Sequence, residues 1–328
     1  MKRFQLMRVC LGAVCLSMLA GTLNAADEDE TKLPTNLPEL RETAVKILVE
    51  ASFSDVPLLR ANALEGMQAA PDRALPLATR LMNDPNPAVR YVAVVTAGML
   101  KFDSLSTAIR PLLRDEHPSV QAAAIYALRA VGENIDLTPL AGLLERRDPG
   151  LRGNVAQLLG LLGDPSAVPM LNRAALLPMP RVSATDLAVV RIQIAEAMAR
   201  LGDDDALDAL RSGAFSQFDE VRVLAIVAMG EVKDRRMEVA LERLADQPPV
   251  EIQVAAAGAL ARMGNTTKVQ SVLDAARHVN PIVRGQAAVN FAYFSDDRSL
   301  VMLRNMLIDE EPIVRVSAAA AVLKRLSK

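Results

Sequence analysis

Apolar and polar positions along the chain follow one recurring unit. Its marker, the slot, is an apolar residue followed by Arg or Gln, and successive slots are 30, 31, 31, 39, 31, 31, 31 and 31 residues apart. A fixed period of this length is the signature of a repeat architecture. Counted by their second residue, the slots are Arg60, Arg90, Gln121, Arg152, Arg191, Arg222, Gln253, Arg284 and Arg315.

Each unit predicts two helices joined by a tight turn. Apolar residues stand three and seven positions after the slot, for example Ala93 and Ala97, which together with the slot gives one buried helical face. Gly then ends the first helix in several units, and an acid or amide twelve positions after the slot can cap a second helix. The glycines are Gly132, Gly163, Gly202 and Gly264, and the caps are Asp72, Glu133, Asp164, Asp203, Asp234, Asn265 and Asp296.

Two stretches resemble a known family. Residues 84–90 (DPNPAVR) and 159–165 (LGLLGDP) are similar to the HEAT repeat in its short bacterial, phycobilisome-lyase-like form, and the likeness extends over about residues 40–328. The resemblance implies a right-handed α-α superhelix of the HEAT/ARM type whose second helices line a concave face. Gln121 and Gln253 depart from the pattern, since Arg is expected at both, and weaker side-chain ties are expected there.

The ends of the repeat region predict capping half-repeats. Residues 40–51 occupy the register of a lone second helix, and the last slot is followed by a first helix only. We therefore expect an all-α solenoid of about eight helix pairs between two half-repeats. Because repeats in such arrays contact only their neighbours, deletion of one unit, such as residues 216–246, is expected to leave a folded, shorter array.

The N-terminus predicts export. Lys2, Arg3 and Arg8 precede an apolar stretch that is too short to span a membrane, and residues 23–25 (LNA) form a small-residue cleavage site. We divide the chain into a signal peptide (1–25), an acidic and Pro-containing leader (26–38) and a repeat domain (39–328), with cleavage near Ala25 and a periplasmic or secreted product. Lipidation at Cys15 is the alternative, although the residues before it match a lipobox poorly.

Composition argues against most chemistry. Without residues 1–25 the chain has 34 basic and 39 acidic residues, a balance that does not suit nucleic-acid binding. Both cysteines, Cys10 and Cys15, lie in the signal peptide. The two histidines, His117 and His278, are five repeats apart, which speaks against a shared metal or acid–base site. Residues 203–205 (DDD) lack the spacing of a calcium loop and suit a helix start. No cofactor is expected.

The sequence offers two candidate partner-binding features. The first is a row of arginines twenty or twenty-one positions after the slots, expected to face the groove and to bind an acidic protein segment. The second is an eight-residue insertion within residues 174–186, where Met179 and Arg181 are candidates because insertions in solenoids form loops, often beside the binding surface. The arginines are Arg80, Arg110, Arg173, Arg211, Arg243 and Arg304.

These features predict an exported, non-catalytic scaffold that binds proteins and has no transmembrane span after signal cleavage. The alternative comes from the resemblance, which implies a tetrapyrrole-attaching lyase or chaperone. Helix capping and dipole interactions are the competing explanation of the arginine row, and a tolerated insertion without a role is the competing explanation of residues 174–186. A HEAT-like enzyme acting on nucleic acid is a third hypothesis, disfavoured by the acidic balance and the absence of Trp.

Overall fold

The structure, a computed structural model, describes residues 36–327. That part of the chain contains α-helices and no β-strand, and none of its helices is long and apolar enough to cross a membrane. The helices are α1 Leu37–Ala51, α2 Pro57–Met67, α3 Pro71–Leu81, α4 Pro87–Met99, α5 Ser106–Ile109, α6 Pro118–Ala130, α7 Thr138–Leu144, α8 Pro149–Leu162, α9 Val168–Leu176, α10 Ala184–Arg200, α11 Asp205–Gly213, α12 Asp219–Val232, α13 Glu238–Leu244, α14 Val250–Arg262, α15 Val269–Ala275, α16 Pro281–Asn290, α17 Asp297–Met306 and α18 Pro312–Leu326. The even-numbered helices are the first helices of the units, and the odd-numbered ones are the second helices.

Short 3-10 segments lie at several turns between the two helices of a unit, and one lies between α5 and α6, where one unit meets the next. They replace or extend helix ends where the chain bends tightly. The segments are Asp103–Leu105, Arg110–Arg114, Pro165–Ala167, Arg235–Met237 and Phe291–Tyr293.

Local signals in the sequence place the helix ends as predicted. The predicted glycines Gly132, Gly163, Gly202 and Gly264 all have positive φ, a conformation that Gly adopts without steric cost. The predicted capping column forms its bonds at five of its seven positions; Asp72 lies inside the first turn of α3, and Glu133 pairs with Arg110 instead. Side-chain oxygens of the column accept backbone N–H groups two or three residues on, at Asp164, Asp203, Asp234, Asn265 and Asp296. The helix–turn–helix unit is therefore confirmed.

Consecutive first helices pack directly against each other, with small residues at the contacts. A Cβ added to Gly98 of α4 would lie 2.9 Å from the Cα of Ala127 in α6, and one added to Gly230 of α12 would lie 2.8 Å from the Cα of Ala259 in α14. Glycine at these contacts lets neighbouring backbones approach closely. Most side chains of the first helices are buried as a result.

The two terminal half-repeats pack against each other and close the array into a ring. Helix α18 packs on both α1 and α2, so the first helices form a cyclic series in which α18 neighbours α2. A Cβ on Gly66 of α2 would lie 2.7 Å from the Cβ of Ala320 in α18, and Leu48 of α1 is fully buried at the same junction. We call this junction the seam; it supplies the pair that the sequence leaves split between the two ends.

Closure places the second helices on the outside. Neighbouring first helices touch around the whole ring, whereas neighbouring second helices barely touch, so the second helices form the wider, outer layer. The all-α HEAT-type solenoid predicted from the sequence is confirmed. The expectation that the second helices line a concave groove is wrong for this chain, because close packing of its small-residue first helices makes them the inner layer.

Candidate binding surface

The slot arginines tie neighbouring repeats together. Arg90 donates through Nε and Nη2 to both carboxylate oxygens of Asp115, at 2.9 Å each, and through Nη1 to the carbonyl oxygen of Asp84. Arg60 binds Asp84 in the same two-pronged way, and Arg284 binds Asp309. We call each such Arg–Asp pair a latch. The bonds from Arg90 and from the backbone N–H of His117 bring the pKa of Asp115 below its usual value, although burial alone would raise it.

One slot arginine is wholly buried and binds only carbonyl oxygens. Arg152 is 1% exposed and donates to the ends of α7 and α9, including the carbonyl oxygens of Leu144 and Ala174 and, just beyond α9, Leu177. Loss of hydration lowers the pKa of this guanidinium. Because Ala174 and Leu177 lie at the start of the insertion, Arg152 anchors that segment to the ring.

Several arginines of the predicted partner-binding row hold the outer layer together. The Arg110 guanidinium lies 2.6 Å from the Glu133 carboxylate of the next repeat, and Arg211 makes a two-pronged pair with Asp234, also in the next repeat. Asp234 also accepts the backbone N–H of Arg236, so its carboxylate serves both a turn and an inter-repeat ion pair, whereas Glu133, in the same column, pairs with Arg110. These two arginines are engaged within the protein and do not form a free ridge.

The other row members differ in their surroundings. Arg80 donates to Ser52 and stacks on the ring of Phe53, with its Cζ 3.9 Å from the ring centroid. Arg304 is half-buried, whereas Arg173 of α9 and Arg243 of α13 are exposed. All six lie on the outer layer of second helices, so they do not line the groove for which the sequence proposed them. Partner binding by any of them stays a prediction.

The insertion places its two candidate residues differently. Met179 is 5% exposed and therefore packs inward, which removes it from the candidate binding residues because a partner cannot reach it. Arg181 is exposed and has a φ of 69°, an uncommon conformation for a non-Gly residue. Beside the insertion, Leu176 is 79% exposed, and Phe215 at the equivalent end of the next second helix is 63% exposed.

Sequence reasoning missed Leu176 and Phe215. Both are apolar residues in an otherwise apolar-rich chain, and composition gives no reason to expect them at the surface. The available signal was their position at the end of a second helix: Leu176 comes two residues after Ala174, the last buried residue of α9, and Phe215 two residues after the end of α11.

A chain of polar contacts crosses four consecutive units, from α12 to α18, and was also missed. The Arg262 guanidinium donates to Glu231 at 2.9 Å and lies over the ring of Tyr293, and Lys324 Nζ is 2.6 Å from the Tyr293 hydroxyl. These four residues are spaced 31 apart, which is the repeat period. Asn290 accepts from Arg262 and fits because Gly258 faces it. The contacts show that part of the inner layer is polar.

The ionisable groups that composition singled out have local roles. His117 and His278 each accept a backbone N–H from the residue two positions on, at Ser119 and Asn280. No group of three or more potential metal-binding side chains occurs among residues 36–327. One further group, which the sequence did not single out, is Glu65 on α2: it is half-buried, and burial raises the pKa of its carboxyl group to about 8.

Comparison with family models decides the family. The model of HEAT repeats matches residues 74–150, 108–182, 139–214 and 237–324, which together make up well over half of the chain. The chain belongs to the HEAT-repeat family. No curated protein sequence matches the chain. The matched ranges include both first and second helices of the units.

Solved structures similar to this HEAT-repeat chain are distant. The complex of CpcE and CpcF of phycocyanin lyase from Nostoc sp. PCC7120 is 19% identical, with a TM-score of 0.42, over 77% of this chain and 94% of that one. Human deoxyhypusine hydroxylase is 15% identical, with a TM-score of 0.38, over 89% of this chain and 99% of that one. At these values neither structure bears on the function of this chain.

Proposed function

We propose that this HEAT-repeat protein is an exported scaffold that binds a protein partner on its outer layer, beside the insertion. The observation that carries the proposal is the pair of exposed large apolar side chains, Leu176 and Phe215, at the same end of the neighbouring second helices α9 and α11. Both stand at the equivalent position of neighbouring repeats, and exposed apolar surface rimmed by polar residues marks protein-interaction sites. The HEAT-repeat fold is consistent with this role.

Charge supports a partner with acidic segments. Arg173 of α9 and Arg181 within the insertion are both exposed, three residues before and five residues after Leu176 in the chain. Guanidinium groups form strong two-pronged bonds with carboxylates, which adds specificity to an apolar contact. Apolar anchors with cationic neighbours fit a partner that presents an apolar side chain close to Asp or Glu.

Site-specific photocrosslinking in the native host tests the proposal. A photoreactive residue at position 215 is expected to capture one defined partner, whereas the same residue at position 239, which is also exposed but lies on α13, is expected not to. The captured protein is then purified and its affinity measured. Phe215→Ser with Leu176→Ser is expected to weaken binding at least about tenfold, and Arg173→Gln with Arg181→Gln to reduce its salt dependence. Equal capture at both positions, or unchanged affinity, would refute this surface.

Export and catalysis are tested separately. Intact mass of protein recovered from the native host is expected to begin at Ala26 or Asp27, and an uncleaved Met1 or a lipid on Cys15 would contradict the export proposal. The tetrapyrrole-attaching alternative predicts a covalent chromophore on an acceptor protein after incubation with this chain, detected by absorbance under denaturing conditions.

A further inference from the structure

Gln121 marks an interface between repeats that has no latch, and a half-open cavity lies there. Gln121 stands in the slot, where Arg90 stands one repeat earlier, and Arg146 stands where Asp115 would follow in that pattern. Gln121 keeps the bond from its side-chain amide to the carbonyl oxygen of Asp115, at 2.6 Å, but it is too short to bridge to the next repeat. Gln121 and Arg146 both line the cavity.

The cavity has the size and walls of a small-molecule site. Its volume is about 500 Å³, within the usual range for ligand pockets. It lies between α6, α7 and the 3-10 segment Arg110–Arg114. Its walls are mostly apolar, and its polar groups are Gln121, Asp136 and Arg146; the apolar side chains used below are Ile125, Ile135 and Leu143.

Two opposite charges line this cavity without pairing. Asp136 and Arg146 are both exposed, and no ion pair within 4.0 Å joins them or ties either to another residue among those that the structure describes. The Asp136 carboxylate accepts the backbone N–H of Thr138 at 2.9 Å. The bonds from Thr138 lower the pKa of Asp136, so it is ionised at neutral pH. A separated carboxylate and guanidinium above apolar walls complement a ligand that carries both charges and an apolar group.

We propose that this cavity binds a small zwitterion with an apolar side chain, namely an apolar α-amino acid or a short peptide of such residues. Its carboxylate pairs with Arg146, its ammonium group with Asp136, and its side chain lies against Ile125, Ile135 and Leu143. The site is independent of the proposed partner surface beside the insertion, so either can fail without the other.

Calorimetric titration of the purified protein tests the ligand chemistry. Leucine and the dipeptide leucyl-leucine are the probes. The controls are 4-methylpentanoic acid, which lacks the ammonium group, and 3-methylbutylamine, which lacks the carboxylate. Each control is expected to bind about tenfold or more weakly than leucine, since each loses one charge-assisted contact. Tighter binding of the dipeptide assigns the site to peptides, and tighter binding of leucine assigns it to free amino acids. No binding of either probe, or equal binding of the controls, overturns the proposal.

Three variants locate the site. Arg146→Gln is expected to weaken binding of the tighter probe about tenfold or more, whereas the matched control Arg147→Gln is expected to leave it unchanged, because Arg147 does not line the cavity. Gly142→Leu is expected to abolish binding with the melting temperature undiminished. Gly142 lines the cavity, and a Cβ there meets nothing within 4 Å. Equal effects of the two arginine variants, or full binding by Gly142→Leu, would contradict the assignment.

Discussion

Closure of the ring at the seam can be tested with one methyl group. Gly66→Ala places a Cβ 2.7 Å from the Cβ of Ala320 and 3.2 Å from its Cα, well inside the 3.5–4.0 Å at which carbon atoms attract. Both atoms are rigid, one in the backbone of Ala320 and the other its methyl group, so α2 and α18 have to move apart. Overpacking of this kind costs about 1–3 kcal/mol.

Helix propensity acts in the opposite direction and needs a control. Ala is favoured over Gly in a helix by about 1 kcal/mol, and Gly142→Ala isolates this gain because a Cβ there meets nothing within 4 Å. Gly142→Ala is therefore expected to raise the unfolding free energy, measured in urea. The unfolding free energy of the Gly66→Ala variant is expected to lie about 1–3 kcal/mol below that of the Gly142→Ala variant. Equal stabilisation by both substitutions would show that the seam is not packed as described.

A distance measurement shows whether the ring is closed. Nitroxide labels are attached to Phe53→Cys and Ile308→Cys in a chain with Cys10 and Cys15 replaced by Ser. The two positions are exposed and lie just after the C-terminal ends of α1 and α17. Neighbouring helices are 8–10 Å apart, so closure predicts a separation of about 20 Å, whereas the ends of an open array would lie ~80 Å apart. A separation of the two labels near ~80 Å in the chain that keeps Gly66 would refute closure.

Three further perturbations follow from the same contacts. Arg90→Met leaves the buried Asp115 carboxylate without its cation, so the unfolding free energy is expected to fall by about 3 kcal/mol or more. The control Arg222→Gln removes an ion pair with an exposed i,i+3 partner and is expected to cost less than about 1 kcal/mol. Comparable losses in the two variants would refute the role of the latch. Because the pKa of Glu65 is raised, the folded state holds a proton that the unfolded state lacks between about pH 4.5 and 8, and stability falls as pH rises through that window. Glu65→Gln is expected to flatten the plot of urea-unfolding free energy against pH in this range. An unchanged plot would exclude Glu65 as the source of the pH dependence. Deletion of residues 216–246 is expected to keep the circular-dichroism spectrum helical but to lengthen the distance between the labels at positions 53 and 308. The reason is that every remaining interface would have to bend further for the ring to close. An unchanged distance would contradict this expectation and show that the interfaces adapt.

The candidate surfaces were only partly accessible to sequence reasoning. The insertion was found as a break in the period, but the sequence offered Met179, which is buried, and passed over Leu176, which is exposed. Met179 and Leu176 are both apolar, so residue type does not distinguish them. Which one faces solvent depends on the tertiary hydrogen bonds from Arg152 to the backbone at the start of the insertion. The arginine row was found by spacing, yet spacing does not show that Glu133 and Asp234 lie within reach of Arg110 and Arg211.

Sequence alone determined the repeating unit of this protein, because the features that define it act within a few residues. Apolar spacing selects the buried face of each first helix, positive-φ glycines end it, and acids twelve positions after the slot cap the next turn. Tertiary structure alone decided that the ends meet. Closure sums small rotations over all the interfaces between first helices, each set by how closely residues such as Gly98 and Gly230 let neighbouring backbones approach, and it brings Gly66 against Ala320 across almost the whole chain. A repeat period records the contacts of one unit with the next, but not the angle that accumulates around the ring.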